Sequence, residues 1–133
     1  MLTLFRKTDL RRKIGTAGES SVCELLDSLG WQILARNWKC KAGELDIVAL
    51  DGGETVFVEV KSMRMKPGFT PALNLSPRQR KRNCNAAKVY IRARDIRQLP
   101  ARFDLAEVFC RGSVVTKIIM HRDYLPPLPP YER

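Results

Sequence analysis

The sequence predicts an α/β domain with element order α-β-β-β-α-β-β, a mixed central sheet flanked by helices. Three observations carry that expectation. Residues 16–30 and 76–93 place apolar residues at helical spacing and bring start or stop signals with them. The stretch GELDIVALDGGETVFVEVK, 43–61, alternates polar and apolar residues on both sides of a glycine turn, the pattern of a hairpin. RFDLAEVFC and SVVTKIIMH, rich in β-branched and aromatic residues, follow the second helical stretch and are joined near Arg111-Gly112-Ser113. A chain of 133 residues, 44% hydrophobic, suits one domain with a real core.

Taken in order, residues 1–13 form a basic N-terminal segment, frayed or loosely helical, ahead of the domain at 14–122. In the first helix Val22, Leu25, Leu26 and Leu29 repeat at helical spacing. Thr16-x-x-Glu19 has the form of a capping box, and Gly30 is a stop. WQILARNW, 31–38, reads as a strand, 39–43 as a loop, and 44–50 with 55–61 as the hairpin. Pro67, Gly68 and Pro71 break any regular element across 63–75. Ser76-Pro77-Arg78-Gln79 opens the second helix with a cap, a first-turn proline and a glutamine three residues on. Ala86, Ala87, Val89, Tyr90 and Ile91 make its apolar side. Arg78, Arg80, Lys81, Arg82 and Lys88 make the other. The end of the chain, 123–133, is a Pro-rich tail expected to be extended.

Charge narrows the function. With 24 Lys+Arg against 14 Asp+Glu, the net charge of +10 predicts a polyanionic partner, nucleic acid first. A membrane partner is not expected, since there is no strongly amphipathic terminal helix and no apolar run of spanning length. The N-terminus is too short in apolar residues for a signal peptide, which leads to the expectation of a cytoplasmic protein. Cys23, Cys40, Cys84 and Cys110 contain no C-x-x-C pair, and His121 is the only histidine, so neither zinc nor a disulfide framework is implied.

The hairpin holds the chemistry. A two-residue turn at Gly52-Gly53 sets Asp51 opposite Glu54 and Val48 opposite Phe57. Continued regularly, it sets Asp46 opposite Glu59 and Glu44 opposite Lys61. The other face, with Leu45, Ile47, Ala49, Val56, Val58 and Val60, is entirely apolar and belongs to the core. Two carboxylates directly opposed, with Cβ atoms ~5 Å apart, repel. A shared proton offsets that repulsion at the cost of a raised pKa, and Lys61 offsets part of it. Two carboxylates and a nearby carbonyl also suit Mg²⁺ or Mn²⁺. A solvated salt-bridge ladder is the alternative.

Asp46 followed by Glu59-Val60-Lys61 resembles the PD-(D/E)xK nuclease signature. Together with Gly15-Thr16-Ala17-Gly18-Glu19, Arg36-Asn37-Trp38 and Gly43-Glu44-Leu45-Asp46 in that order, the chain resembles the YraN-like family from about residue 12 to 121. That family is itself similar to Holliday-junction resolvases and restriction-endonuclease-like enzymes. The resemblance implies a restriction-endonuclease-like fold and an endonuclease cleaving nucleic acid, with DNA ahead of RNA and branched or structured DNA as one candidate substrate. It implies that Asp46, Glu59 and the Val60 carbonyl hold a divalent metal, and that Lys61 orients or activates water. Glu19 then completes the site or binds a second metal. Met63 stands where the family usually has Arg, and Gln79 where a Lys is common. Arg78, Arg80, Lys81 and Arg82 are the expected phosphate contacts, and helix one is a candidate homodimer interface. The alternative reading is a nucleic-acid-binding protein of the same fold without catalysis.

Overall fold

The computed structural model describes residues 7–64 and 75–125, with side chains in the first helix from Ala17 onward. It contains α1 (Lys7–Ser28), β1 (Gln32–Cys40), β2 (Gly43–Asp51), β3 (Glu54–Arg64), α2 (Pro77–Ala93), β4 (Ala101–Arg111) and β5 (Val114–Leu125). The expected α-β-β-β-α-β-β order is the observed one. The five strands lie in sequence order in one sheet. All pairs are antiparallel except β3 with β4, which α2 links as a crossover.

A core sits on each face of the sheet. Val22 and Leu26 of α1 pack on Ile47, Ala49, Val56, Val58 and Val108. On the other face Ala86, Ala87, Tyr90 and Ile91 of α2 pack on Val48, Phe57 and Phe103. Tyr90 meets Trp38 and Phe57 edge-on, with ring centroids 5.3 and 5.8 Å away. Leu45 belongs to this second core, a correction to its expected place beside Ile47 and Ala49. The cause is Asn37, which sits within β1 at φ 49 in the left-handed region. Side-chain alternation slips there, so Trp38 and its partner Leu45 turn toward α2.

Several other expectations are corrected. α1 begins at Lys7, so Thr16 and Glu19 lie inside the helix and form no capping box. The residues ahead of Thr16 are mostly good helix formers, and no proline stops them. Gly30 does end the helix, at φ 83, with Trp31 N–H donating to the Leu26 carbonyl at 3.0 Å. Leu29, just before it, is 57% exposed rather than part of the core, and Val89 of α2 is exposed as well. The loop between β1 and β2 shrinks to Lys41-Ala42. Met63 and Arg64 extend β3, and Asp123–Leu125 complete β5. Residues 65–74 of the irregular segment and 126–133 of the Pro-rich tail lie outside the described residues, while Leu75 is buried. Among those described, no helix is long and apolar enough to cross a membrane.

Gly18 sets how closely α1 lies on the sheet. A Cβ there would stand 2.3 Å from Ser62 Oγ of β3 and 3.6 Å from Val108 Cγ1 of β4. Gly18→Val is expected to lower stability by about 1–3 kcal/mol through overpacking. Gly18→Ala should cost less and be partly relieved by Ser62→Ala, since Ser62 Oγ is buried with no hydrogen-bond partner. Thermal unfolding of Gly18→Val, Gly18→Ala and Gly18→Ala/Ser62→Ala against the wild type checks the ranking.

Candidate active site

The β2–β3 hairpin follows the expected register from Asp51 opposite Glu54 to Ile47 opposite Val58, and there the pairing stops. Asp46 and Glu59 are therefore not ladder partners, nor are Glu44 and Lys61. Glu44 lies opposite Lys39 of β1, and Lys61 lies beside Glu107 of β4. The strands part where the left-handed Asn37 stands across from Asp46, one residue past the Arg36–Ile47 pair. Asp46 Oδ2 takes over the missing ladder bond by accepting Val60 N–H at 2.8 Å. A strand residue points its N–H and C=O to the same side, so the Val60 carbonyl faces the same gap.

Glu59 is held from α2. Ser76 caps that helix in an extended conformation, its hydroxyl accepting Gln79 N–H at 3.1 Å. The Gln79 side chain does not reach back to close a capping box. Its Nε2 donates to Glu59 Oε1 at 3.3 Å and to Asn83 Oδ1 at 3.0 Å. Glu44, Asp46, Glu59, Gln79 and Arg82 line an open cleft of about 140 Å³ at the point where the sheet splits.

The two carboxyls are half-buried and hydrogen-bonded to each other. Burial pushes Asp46 up to about 6 against the pull of the Val60 N–H, with the charges of Glu19 and Glu44 adding to the rise. Burial pushes Glu59 further, to about 9, with the Asp46 charge and hydrogen bond next in size and Glu44 and Glu19 again contributing. Both shifts run upward, so the pair favours sharing a proton, with Glu59 raised further than Asp46. Two hard carboxylates, the carbonyl of Val60 and an opening to solvent form a donor set that fits a small divalent cation, which would replace that proton. Among the described residues no group of three His, Cys, Asp or Glu side chains is placed to hold a metal, so water and substrate oxygens would have to complete the shell.

The remaining expected residues are distributed as follows. Lys61 lies two residues beyond Glu59 and therefore on the same face of β3. Glu19 is half-buried on α1, and its charge is felt by both acidic residues. Arg78, Arg80, Lys81 and Arg82 are not buried, but at about 3.6 residues per turn they do not form one stripe. Arg82 lines the cleft. Arg80 turns away to Tyr124 of β5, stacking at 5.3 Å and donating to its hydroxyl at 3.2 Å.

Three residues near the site were given no site role by sequence, although Asn37 belongs to the Arg36-Asn37-Trp38 motif. Asn37 turns the strand at Asp46. Glu107, only 5% exposed, lies on the Lys61 side of β4. His121, in the same cross-strand row as Glu59 and Leu105, places Nε2 3.4 Å from Glu107 Oε1. A carboxylate inside the apolar run DLAEVF is the signal that could have marked Glu107, the same kind of signal that marked Asp46 and Glu59.

The model of the uncharacterised protein family UPF0102 matches residues 18–108. A UPF0102 protein of Symbiobacterium thermophilum is 37% identical over 99 residues, covering 74% of this chain and 84% of that one. One from Myxococcus xanthus is 37% identical over 106 residues, 80% of this chain and 84% of that one. One from a Synechococcus strain is 40% identical over 106 residues, 77% of this chain and 79% of that one. The matched span contains Glu19, Asp46, Glu59, Val60, Lys61 and the whole of α2.

Proposed function

The chain belongs to the uncharacterised protein family UPF0102, and we propose that it is a metal-dependent endonuclease of the PD-(D/E)xK, restriction-endonuclease-like type that hydrolyses phosphodiester bonds in nucleic acid, DNA in particular. One observation carries the reading. Asp46 and Glu59 meet in a cleft at a split in the sheet, Lys61 follows on the same face, and the protein around them carries a charge of +10. A half-buried acidic pair is costly in a fold that does not use it.

Mg²⁺ or Mn²⁺ would be held by Asp46 and Glu59 with the Val60 carbonyl, and when bound supplies charge relief at phosphorus and a more acidic water. The chain's own groups do the rest. Val60 N–H fixes one Asp46 oxygen, leaving the other for the cleft. Gln79 orients Glu59 from the start of α2. Lys61 provides a positive charge on the face where a phosphate's negative charge grows during attack. Arg82 on the cleft wall receives a non-bridging phosphate oxygen. Glu19 adds negative charge from the α1 side, which raises the affinity of the pair for a cation.

Calorimetric titration of Mn²⁺ into the wild type and Asp46→Asn tests this. Binding is expected in the wild type and is expected to fall at least tenfold in the variant, with cleavage of branched or single-stranded DNA lost in Asp46→Asn and in Lys61→Ala. A wild type that binds no Mn²⁺, even with DNA present, and cleaves neither substrate leaves a nucleic-acid-binding protein of nuclease fold.

A further inference from the structure

We infer that a nucleic-acid backbone crosses the acidic cleft from the β1–β2 turn to the start of α2, gripped by Lys39 and Lys41 on one side and Arg78 and Arg82 on the other. The inference rests on the nucleic-acid partner proposed above but not on catalysis. It starts from a contact. A Cβ on Gly43 would lie 2.7 Å from the Arg82 carbonyl oxygen, so the turn Lys41-Ala42 is packed directly against the second turn of α2. Two elements distant in sequence thus form one continuous rim. Lys39 stands opposite Glu44, which lines the cleft. Lys41 is exposed in the turn itself, Arg82 lines the cleft, and Arg78 lies one helical turn earlier on the same side.

None of these four cations forms an ion pair with a described residue, although three carboxylates lie in the cleft they surround. At the opposite end of the sheet the pattern is reversed, and Arg102 and Arg122 are both taken up by carboxylates. Unpaired cations on both banks of an acidic cleft suit a linear polyanion, with phosphates on the banks and one phosphate at the centre. The cleft has no aromatic lining among the described residues on which a base would stack, so the rim reads backbone rather than sequence.

Fluorescence anisotropy with a labelled DNA oligonucleotide in EDTA reads binding without cleavage. Lys39→Glu/Lys41→Glu and Arg78→Glu/Arg82→Glu are each compared with Arg92→Glu/Arg94→Glu, which removes the same net charge at the far end of α2. Circular dichroism confirms that each variant is folded. Each rim variant should lose affinity by on the order of tenfold per contact at ~0.1 M salt, and its salt slope should flatten by roughly 0.7–0.9 per contact. The far-end variant should stay close to the wild type. An equal loss in the far-end variant overturns the path in favour of diffuse attraction. Wild-type affinity in Lys39→Glu/Lys41→Glu, with Arg78→Glu/Arg82→Glu weakened, removes the turn from the path while leaving the proposed substrate class intact. A wild type that binds no DNA overturns both.

Discussion

Replacing Glu59 with glutamine should make the metal-free protein more stable at alkaline pH while removing its metal affinity. In the folded protein burial and neighbouring carboxylate charges raise Asp46 to about 6 and Glu59 to about 9, from ordinary values of 3.8 and 4.5. Between those ranges the folded state holds more protons than the unfolded chain. Stability therefore falls as pH rises through the two titration steps of the pair, and levels off above them. The amide introduced by Glu59→Gln would reproduce the protonated acid, with its N–H donating to Asp46 and its oxygen still accepting from Gln79. The gain in the variant should be on the order of a few kcal/mol at pH 9 and close to zero near pH 4. Denaturant unfolding in EDTA across that range measures it. Added Mn²⁺ should reverse the ranking, because only the wild type gains stability by binding. A variant less stable than the wild type at pH 9 would show that Glu59 is a structural carboxylate. A stabilising loss of function is the signature of a site maintained against the interest of the fold.

Arg102→Met should be the most damaging single change at the opposite end of the sheet, costing about 3–5 kcal/mol. Arg102 is 4% exposed and answers three carboxylates. It binds Asp51 Oδ2 at 2.9 Å, Asp104 Oδ1 at 3.1 Å and Glu54, while its guanidinium lies 5.2 Å from the centre of the Trp31 ring. Through these contacts it ties the hairpin turn to β4. Without it Asp104, nearly fully buried, keeps only the Asp123 N–H at 3.1 Å among its described partners. The melting temperature should fall by roughly 10–20 °C. Asp104→Asn in the same chain should restore part of the loss by removing the stranded charge, whereas Arg102→Lys should not match the wild type, since an ammonium lacks the planar fork that serves three partners. An unchanged melting temperature in Arg102→Met would mean that the network contributes no net stability.

Sequence alone determined the element order, the two-residue turn at Gly52-Gly53, the Ser76 cap, the Gly30 stop and the identity of the acidic pair. These are local. Each depends on a period, a turn residue or a cap within a few positions, and for Asp46 and Glu59 on polar residues interrupting an apolar pattern. The tertiary structure decided how the pair meets. Alternation continued along one hairpin predicts direct opposition, but a strand also answers to its other neighbour. Asn37 on β1, through a single left-handed residue, ends the β2–β3 ladder and frees Asp46 to bond Val60 N–H. The same limit applies to Gln79, whose local role as a capping residue gives way to a stronger claim from Glu59 across the crossover. It applies also to Arg102 and Glu107, which gain their partners only when β4 is inserted beside β3. Composition showed an excess of cations, yet only packing of Gly43 against α2 brings the β1–β2 turn beside the helix that carries Arg82 into the acidic cleft, because contacts between residues nearly forty positions apart leave no period in a sequence.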